Sequence, residues 1–271
     1  MKIIRVFPQR TSFTPIDDYS FVGLPTLFIP EHEEVHISVA FTWDKDRAEQ
    51  LKRNWQEATD KPVLIGGPAY GDPGNGFEAG RYLKRGITIT SRGCPNNCWF
   101  CMASQREGDI RELPIVEGNI IQDNNLLACS RNHINNVFDM LKTKHGICFK
   151  GGIDAYLLKD WHIERMQELK VKEVWLACDS RDHLSTVVDV IQRLRKAGFN
   201  QNKILCFVLI GFDRAEETDR LMQLYSAGCL PFAQLYQPEE RIEYSKDWRD
   251  FQRTWCRPAA YKTLMKAKQC S

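Results

Sequence analysis

At 271 residues the chain is long enough for one large domain, or for one domain with a modest extension, and it can bury a substantial core. A formal net charge of +2 and a pI near 8.0 are only mildly basic, so global electrostatics demand neither nucleic acid nor an anionic membrane as partner. The opening MKIIRVFPQRTSFTP lacks the apolar run of a secretory signal, and no window approaches the ~18 apolar residues of a membrane span, so a soluble cytoplasmic protein with no membrane partner is expected.

In chain order, the first 85 residues carry a βαβ pattern. EEVHISVAF reads as a strand, a helix follows with Ala48, Leu51, Trp55 and Ala58 aligned, and PVLIGGPAY reads as a second strand. The run GGPAYGDPGNG is turn-rich and marks a boundary. From Gly86 short apolar runs alternate with amphipathic ones, the signature of repeated βα units and a parallel sheet. Strands are expected at GITIT, NIIQ, ICF, EVWLAC, ILCFVLI and PFAQL, beginning at residues 86, 119, 147, 173, 204 and 231. One intervening helix aligns Ile134, Val137, Phe138 and Leu141; another aligns Leu184, Val187, Val188, Ile191 and Leu194 and stops at Gly198; a third aligns Thr218, Leu221, Met222 and Tyr225 before Gly228. Six strands suit an open or partial βα barrel, whose ligands sit at the carboxyl ends of the strands. The expected organisation is an N-terminal βαβ extension over 1–85, an α/β partial (β/α)6 barrel over 86–237, and a basic, aromatic extension over 238–271.

Ten cysteines in such a chain point to metal binding, catalysis or burial rather than a disulfide framework. Cys94, Cys98 and Cys101 stand at a CxxxCxxC spacing directly after GITIT, close enough to bind one centre, with a glycine before them and a proline after the first to bend the loop. A structural zinc site closes with four ligands and would need a partner such as His133 or Cys129. An iron–sulfur cluster on three thiolates instead leaves one iron open to an exogenous ligand.

Cys94-Pro-Asn-Asn-Cys98-Trp-Phe100-Cys101, after a first barrel strand, resembles the cluster motif of the radical S-adenosylmethionine (radical SAM) superfamily, and the likeness covers roughly residues 86–236. It implies a [4Fe–4S] cluster on the three cysteines, with S-adenosyl-L-methionine chelating the fourth iron and cleaved reductively to a 5′-deoxyadenosyl radical that abstracts hydrogen from a substrate. It also implies an external electron donor such as flavodoxin or ferredoxin. Residue by residue, Phe100 matches the aromatic beside adenine. Gln122, Asp123 and Asn124 of NIIQDNN stand where the superfamily commonly has Gly-Gly-Glu to hold the methionyl amine; a helix cap or turn is the competing reading. Leu209 and Gly211 match the segment packed on adenine, and Asp179 a polar cofactor contact. Were NIIQ not a strand, GGID would take the amine site, with Asp154 the acceptor.

The N-terminal unit resembles part of the cobalamin-binding domain of one radical SAM group, but it is short and lacks the Asp-x-His-x-x-Gly motif, so no cobalamin is predicted. No cysteine precedes Cys94, which argues against methylthiotransfer. The tail interleaves Arg241, Lys246, Arg249, Arg253, Arg257, Lys262, Lys266 and Lys268 with Trp248, Phe251, Trp255 and Tyr261. Such a mixture suits either phosphate and base contacts or a helix lying on the barrel. The layout resembles compact radical SAM proteins of bacterial and phage genomes, which implies a nucleotide or nucleic-acid component as substrate. Asp154, Gln234 and Tyr236 are candidate substrate contacts, and no catalytic residue is assigned. The competing function is a non-catalytic iron–sulfur or zinc regulator that binds nucleic acid through its tail.

Overall fold

The computed structural model describes residues 2–74 and 76–269; the side chains of residues 264–269, including Lys266 and Lys268, and all of Cys270 lie outside the described part. The chain forms two compact units, Met1–Gly118 with Glu239–Arg241, and Asn119–Pro238 with Ile242–Ser271. The sequence reading draws its boundary at residue 85. The division falls later because the segment after it is tied to the N-terminal loops: Arg111 donates to the Pro73 carbonyl at 3.0 Å, and Gly74 packs on Arg92.

The first unit holds β1 (Ile3–Phe7), β2 (Ser20–Val22), β3 (Glu34–Ser38), α1 (Lys45–Ala58) and β4 (Val63–Gly66). Its four strands are parallel in the order β2-β1-β3-β4. β1 is central, and Ile3, Ile4, Val6 and Phe7 are all buried, as a strand covered on both faces requires. The sequence reading missed it, because Arg5 interrupts a short apolar run; the guanidinium is held by Asp17 and the Tyr19 carbonyl. α1 buries Ala48, Leu51 and Trp55 as expected, and Trp55 Nε1 donates to Gly23 O at 3.1 Å. Ala58 is a correction: as the last helical residue it is exposed. β5 (Ile87–Thr88), β6 (Ser91–Arg92), α2 (Ala103–Glu107) and β7 (Arg111–Glu112) complete this unit.

The second unit alternates β8 (Ile120–Ile121), α3 (Arg131–Leu141), β9 (His145–Phe149), α4 (Asp160–Gln167), β10 (Lys170–Ala177), α5 (Leu184–Lys196), β11 (Ile204–Ile210), α6 (Arg214–Ala227) and β12 (Leu230–Leu235), then adds α7 (Lys246–Trp255) and α8 (Pro258–Gln269). Its strands pair in the order β12-β11-β10-β9-β8, every pair parallel, so all five carboxyl ends lie along one edge. The fold is mixed α/β with parallel sheets.

α3 buries Ile134, Val137, Phe138 and Leu141 as expected, with His133 added. On α5 the buried position is Val190, and Val188 is only half-buried. α6 departs further. Its buried face is Glu217, Arg220, Leu221 and Leu224, while Thr218, Met222 and Tyr225 are half-buried. Two charged side chains bonded to backbone set its rotation.

The tail is also packed rather than splayed. Phe251, Trp255 and Tyr261 are buried, Trp255 stacks on Tyr261 with centroids 5.2 Å apart, and Tyr225 meets Tyr261 edge-on at 5.7 Å. Lys246 and Arg253 pair with Asp250. These three aromatics serve the core and Trp248 is half-buried, so the packing favours the docked-helix reading of the tail over base stacking. Among the described residues no helix is long and apolar enough to cross a membrane.

Candidate functional site

The three cysteines sit on a loop whose two stems are β6 and β7, an antiparallel ribbon pairing Ser91 with Glu112 and Arg92 with Arg111. Leu113 N–H donates to Thr90 O at 2.8 Å and extends the closure. Gly93 has φ +81°, and a Cβ there would stand 2.1 Å from the Asp109 carbonyl oxygen, so only glycine passes. Cys94 N–H then donates to Gly108 O at 3.1 Å.

Beneath the loop lies buried Glu107. Its carboxylate accepts from Gly93 N–H at 3.3 Å, pairs with Arg106, and stands 3.7 Å from Arg92. Burial pushes this carboxyl up, but the Arg106 hydrogen bond and the charges of Arg92 and Arg106 outweigh it and hold it below its usual range. Arg111 donates to the Glu107 carbonyl and so ties the far stem to the same residue.

Cys94, Cys98 and Cys101 are each partly exposed thiols. Cys101 N–H donates to Cys98 O at 3.0 Å, and Cys101 Sγ accepts from Ala103 N–H at 3.5 Å. Phe100 is half-buried, edge-on to Trp99 at 5.5 Å, and Trp99 is 66% exposed. Among the described residues no three His, Cys, Asp or Glu side chains stand close enough to hold a metal ion. The donor set itself fits an iron–sulfur cluster by its chemistry: three half-exposed thiols within one short loop, a backbone N–H on one sulfur, and arginines beside the stem.

In the second unit the candidate residues gather at the carboxyl ends of the strands. Ile120–Ile121 is a strand, so GGID follows the next strand rather than this one. After β8, Asp123 is 1% exposed, Asn124 is half-buried, and Gln122 Oε1 is buried with no hydrogen-bond partner among the described residues. Asn125 Nδ2 donates to Asp154 Oδ2 at 3.0 Å, while Asp154 Oδ1 accepts from Tyr156 N–H at 2.9 Å. Gly151 lies where any Cβ would meet the Asp123 carbonyl oxygen at 1.8 Å. The first glycine of GGID is thus demanded by packing between neighbouring strand exits.

At the ends of β10 and β11 a buried arginine bridges two strands. Arg220, 2% exposed, donates to Cys178 O at 2.6 Å and Leu209 O at 3.0 Å, and pairs with Glu216 at 3.1 Å. Asp179 beside it is pushed up to about 6, because burial outweighs the opposing charges of Arg220 and His183. Glu217 Oε1 accepts from the N–H groups of Gly211, Phe212 and Asp213 at 2.9, 2.9 and 3.3 Å, filling the backbone nest at the β11–α6 turn. Burial still pushes its carboxyl up.

Leu209 is buried. Gly211 has φ +122°, and the group nearest its missing Cβ is Tyr244 Oη at 2.7 Å. Tyr244 in turn donates to Tyr236 O at 2.7 Å, and Tyr236 lies 5.5 Å from Phe212. Gln234 is exposed on β12.

Parallel pairing brings Gln122, Asp123, Asn124, Asp154, Asp179, Leu209, Gly211 and Tyr236 to one edge. Sequence reasoning missed Glu107, Glu217, Arg220 and Tyr244. The spacing 217, 220, 221, 224 is itself a helical face, legible once charged residues are admitted as core. Comparison of the chain with protein-family models, curated proteins and solved structures finds no match.

Proposed function

We propose that this chain is a radical SAM enzyme built on a partial (β/α)6 barrel, with a [4Fe–4S] cluster on Cys94, Cys98 and Cys101. The observation that carries the reading is the three-thiol loop on its ribbon stem. The chemistry expected of such a cluster is one-electron reduction of S-adenosyl-L-methionine, giving methionine and a 5′-deoxyadenosyl radical that removes hydrogen from a substrate.

The chain's own residues have definable tasks in that reading. Gly93 and Glu107 fix the loop stem, and the Ala103 N–H, bonded to Cys101 Sγ, helps to set where that sulfur stands. Gln122, Asp123 and Asn124 supply acceptors for an amine, the buried Gln122 Oε1 having no partner among the described residues. Asp179, titrating near neutrality, suits a contact that responds to a nearby cation. Phe100 and Leu209 offer apolar contact to a purine, and Tyr244 occupies the space over Gly211 that close approach of a ligand would need. Phe251, Trp255 and Tyr261 are buried and offer no face for base stacking, while Trp248 is half-buried.

The test is anaerobic reconstitution with iron and sulfide, followed by electron paramagnetic resonance of the reduced protein with and without S-adenosyl-L-methionine. A cluster signal that changes on addition, and is absent from Cys94→Ala, Cys98→Ala and Cys101→Ala proteins, supports the reading. Stoichiometric zinc on the same thiols with no iron retained overturns it.

A further inference from the structure

The first unit contains a cavity of about 350 Å³ that the proposed chemistry does not use. That volume lies near the lower end of the ~300–1,000 Å³ typical of small-molecule sites. It opens where the parallel strands finish: Phe7 ends β1, Ser38 ends β3 and Gly66 ends β4, and all three line it. With the order β2-β1-β3-β4, the chain leaves β1 and β3 in opposite directions, which makes this the switch point where open parallel sheets place ligands. Gly67 shapes the site. It has φ +105°, and a Cβ would stand 2.9 Å from the Val39 carbonyl oxygen, so the turn after β4 can close on β3 only with glycine.

The lining defines the ligand. The walls are largely apolar, and Phe7, Phe13, Phe41 and Phe77 give them four aromatic rings. Arg92 and Glu107 both line it and meet each other's charge, Glu78 is paired with Arg81, and His36 is held by Glu34 and the Tyr82 hydroxyl. That leaves Asp44 and Asp72. Asp44 accepts from Gln9 Nε2 at 2.8 Å and Asp72 from Gly74 N–H at 2.8 Å, and among the described residues neither forms an ion pair. Aromatic walls with two uncompensated carboxylates attract a cation through both charge and ring faces, and repel an anion.

We propose that this cavity binds a small organic cation with an aromatic body, of the arylalkylamine class. The site is independent of the iron–sulfur reading, and its test needs neither iron nor S-adenosyl-L-methionine.

Isothermal titration of the full chain with three ligands sharing an indole ring separates the contributions: tryptamine as cation, tryptophol as neutral analogue and indole-3-acetate as anion. Tryptamine is expected to bind about tenfold or more tighter than tryptophol, the worth of one favourable charge contact, with indole-3-acetate weakest. Asp44→Asn combined with Asp72→Asn, which keeps both oxygen acceptors, should bring tryptamine down to the tryptophol affinity. Ala40→Trp, at an exposed lining position, should abolish binding of all three while circular dichroism stays unchanged. No tryptamine binding at millimolar concentration, equal affinity for the three ligands, or binding that survives both variants would overturn the proposal.

Discussion

Replacing Asp179 with asparagine should change how stability depends on pH, with a sign fixed by burial. The carboxyl is raised from its ordinary 3.8 to about 6, chiefly by desolvation, with Arg220 the largest opposing influence. A raised carboxyl binds its proton more tightly in the folded state. Its contribution is therefore fully present below the unfolded pKa and is lost as pH rises through the folded one. Between 3.8 and about 6 the wild type loses on the order of 3 kcal/mol from this group, at about 1.4 kcal/mol per pH unit. Asparagine carries no such dependence. The stability of Asp179→Asn relative to wild type should therefore rise by up to ~3 kcal/mol between about pH 4 and pH 7 and then level off. Urea melts followed by tryptophan fluorescence measure this, provided the m-value is shared by the two proteins. Glu217 is raised in both and cancels in the difference. A flat difference, or one that falls with pH, would refute the burial argument.

Arg220→Met strips two strand-end carbonyls of their donor and leaves Glu216 unpaired, so a loss of about 3–5 kcal/mol is expected in the same melts. Gly151→Ala drives a Cβ onto the Asp123 carbonyl and should cost more than ~3 kcal/mol, whereas Gly152→Ala, at φ +104° with open space around it, should cost only about 1–2 kcal/mol. Tyr244→Phe loses one hydrogen bond to Tyr236 O, and a thermal melt should register about 1 kcal/mol.

The strands of the second unit and the buried face of α3 were legible because apolar periodicity there reflects burial directly: Ile134, Val137, Phe138 and Leu141 are all in the core. The same signal failed on α6, where Glu217 and Arg220 are buried through bonds to backbone groups of other elements, a compensation that hydropathy does not register. β1 was hidden by Arg5, whose partners Asp17 and Tyr19 both lie in the loop before β2. The tail stayed ambiguous in the sequence, since buried and base-stacking aromatics have the same composition; the packing of Trp255 on Tyr261 favours the docked helix. The cysteine loop was legible as a spacing, but its support was not. Glu107 and the carbonyl of Asp109 meet Gly93, and Arg111 meets the Glu107 carbonyl, only after the ribbon closes.

The most direct test of the central proposal is formation of 5′-deoxyadenosine. Protein reconstituted with iron and sulfide without oxygen, reduced with dithionite and supplied with S-adenosyl-L-methionine, is followed by chromatography beside a Cys98→Ala control. The account predicts 5′-deoxyadenosine and methionine from the wild type and none above background from the variant. Equal yields from both, or zinc in place of an iron–sulfur cluster in the wild type, would contradict it.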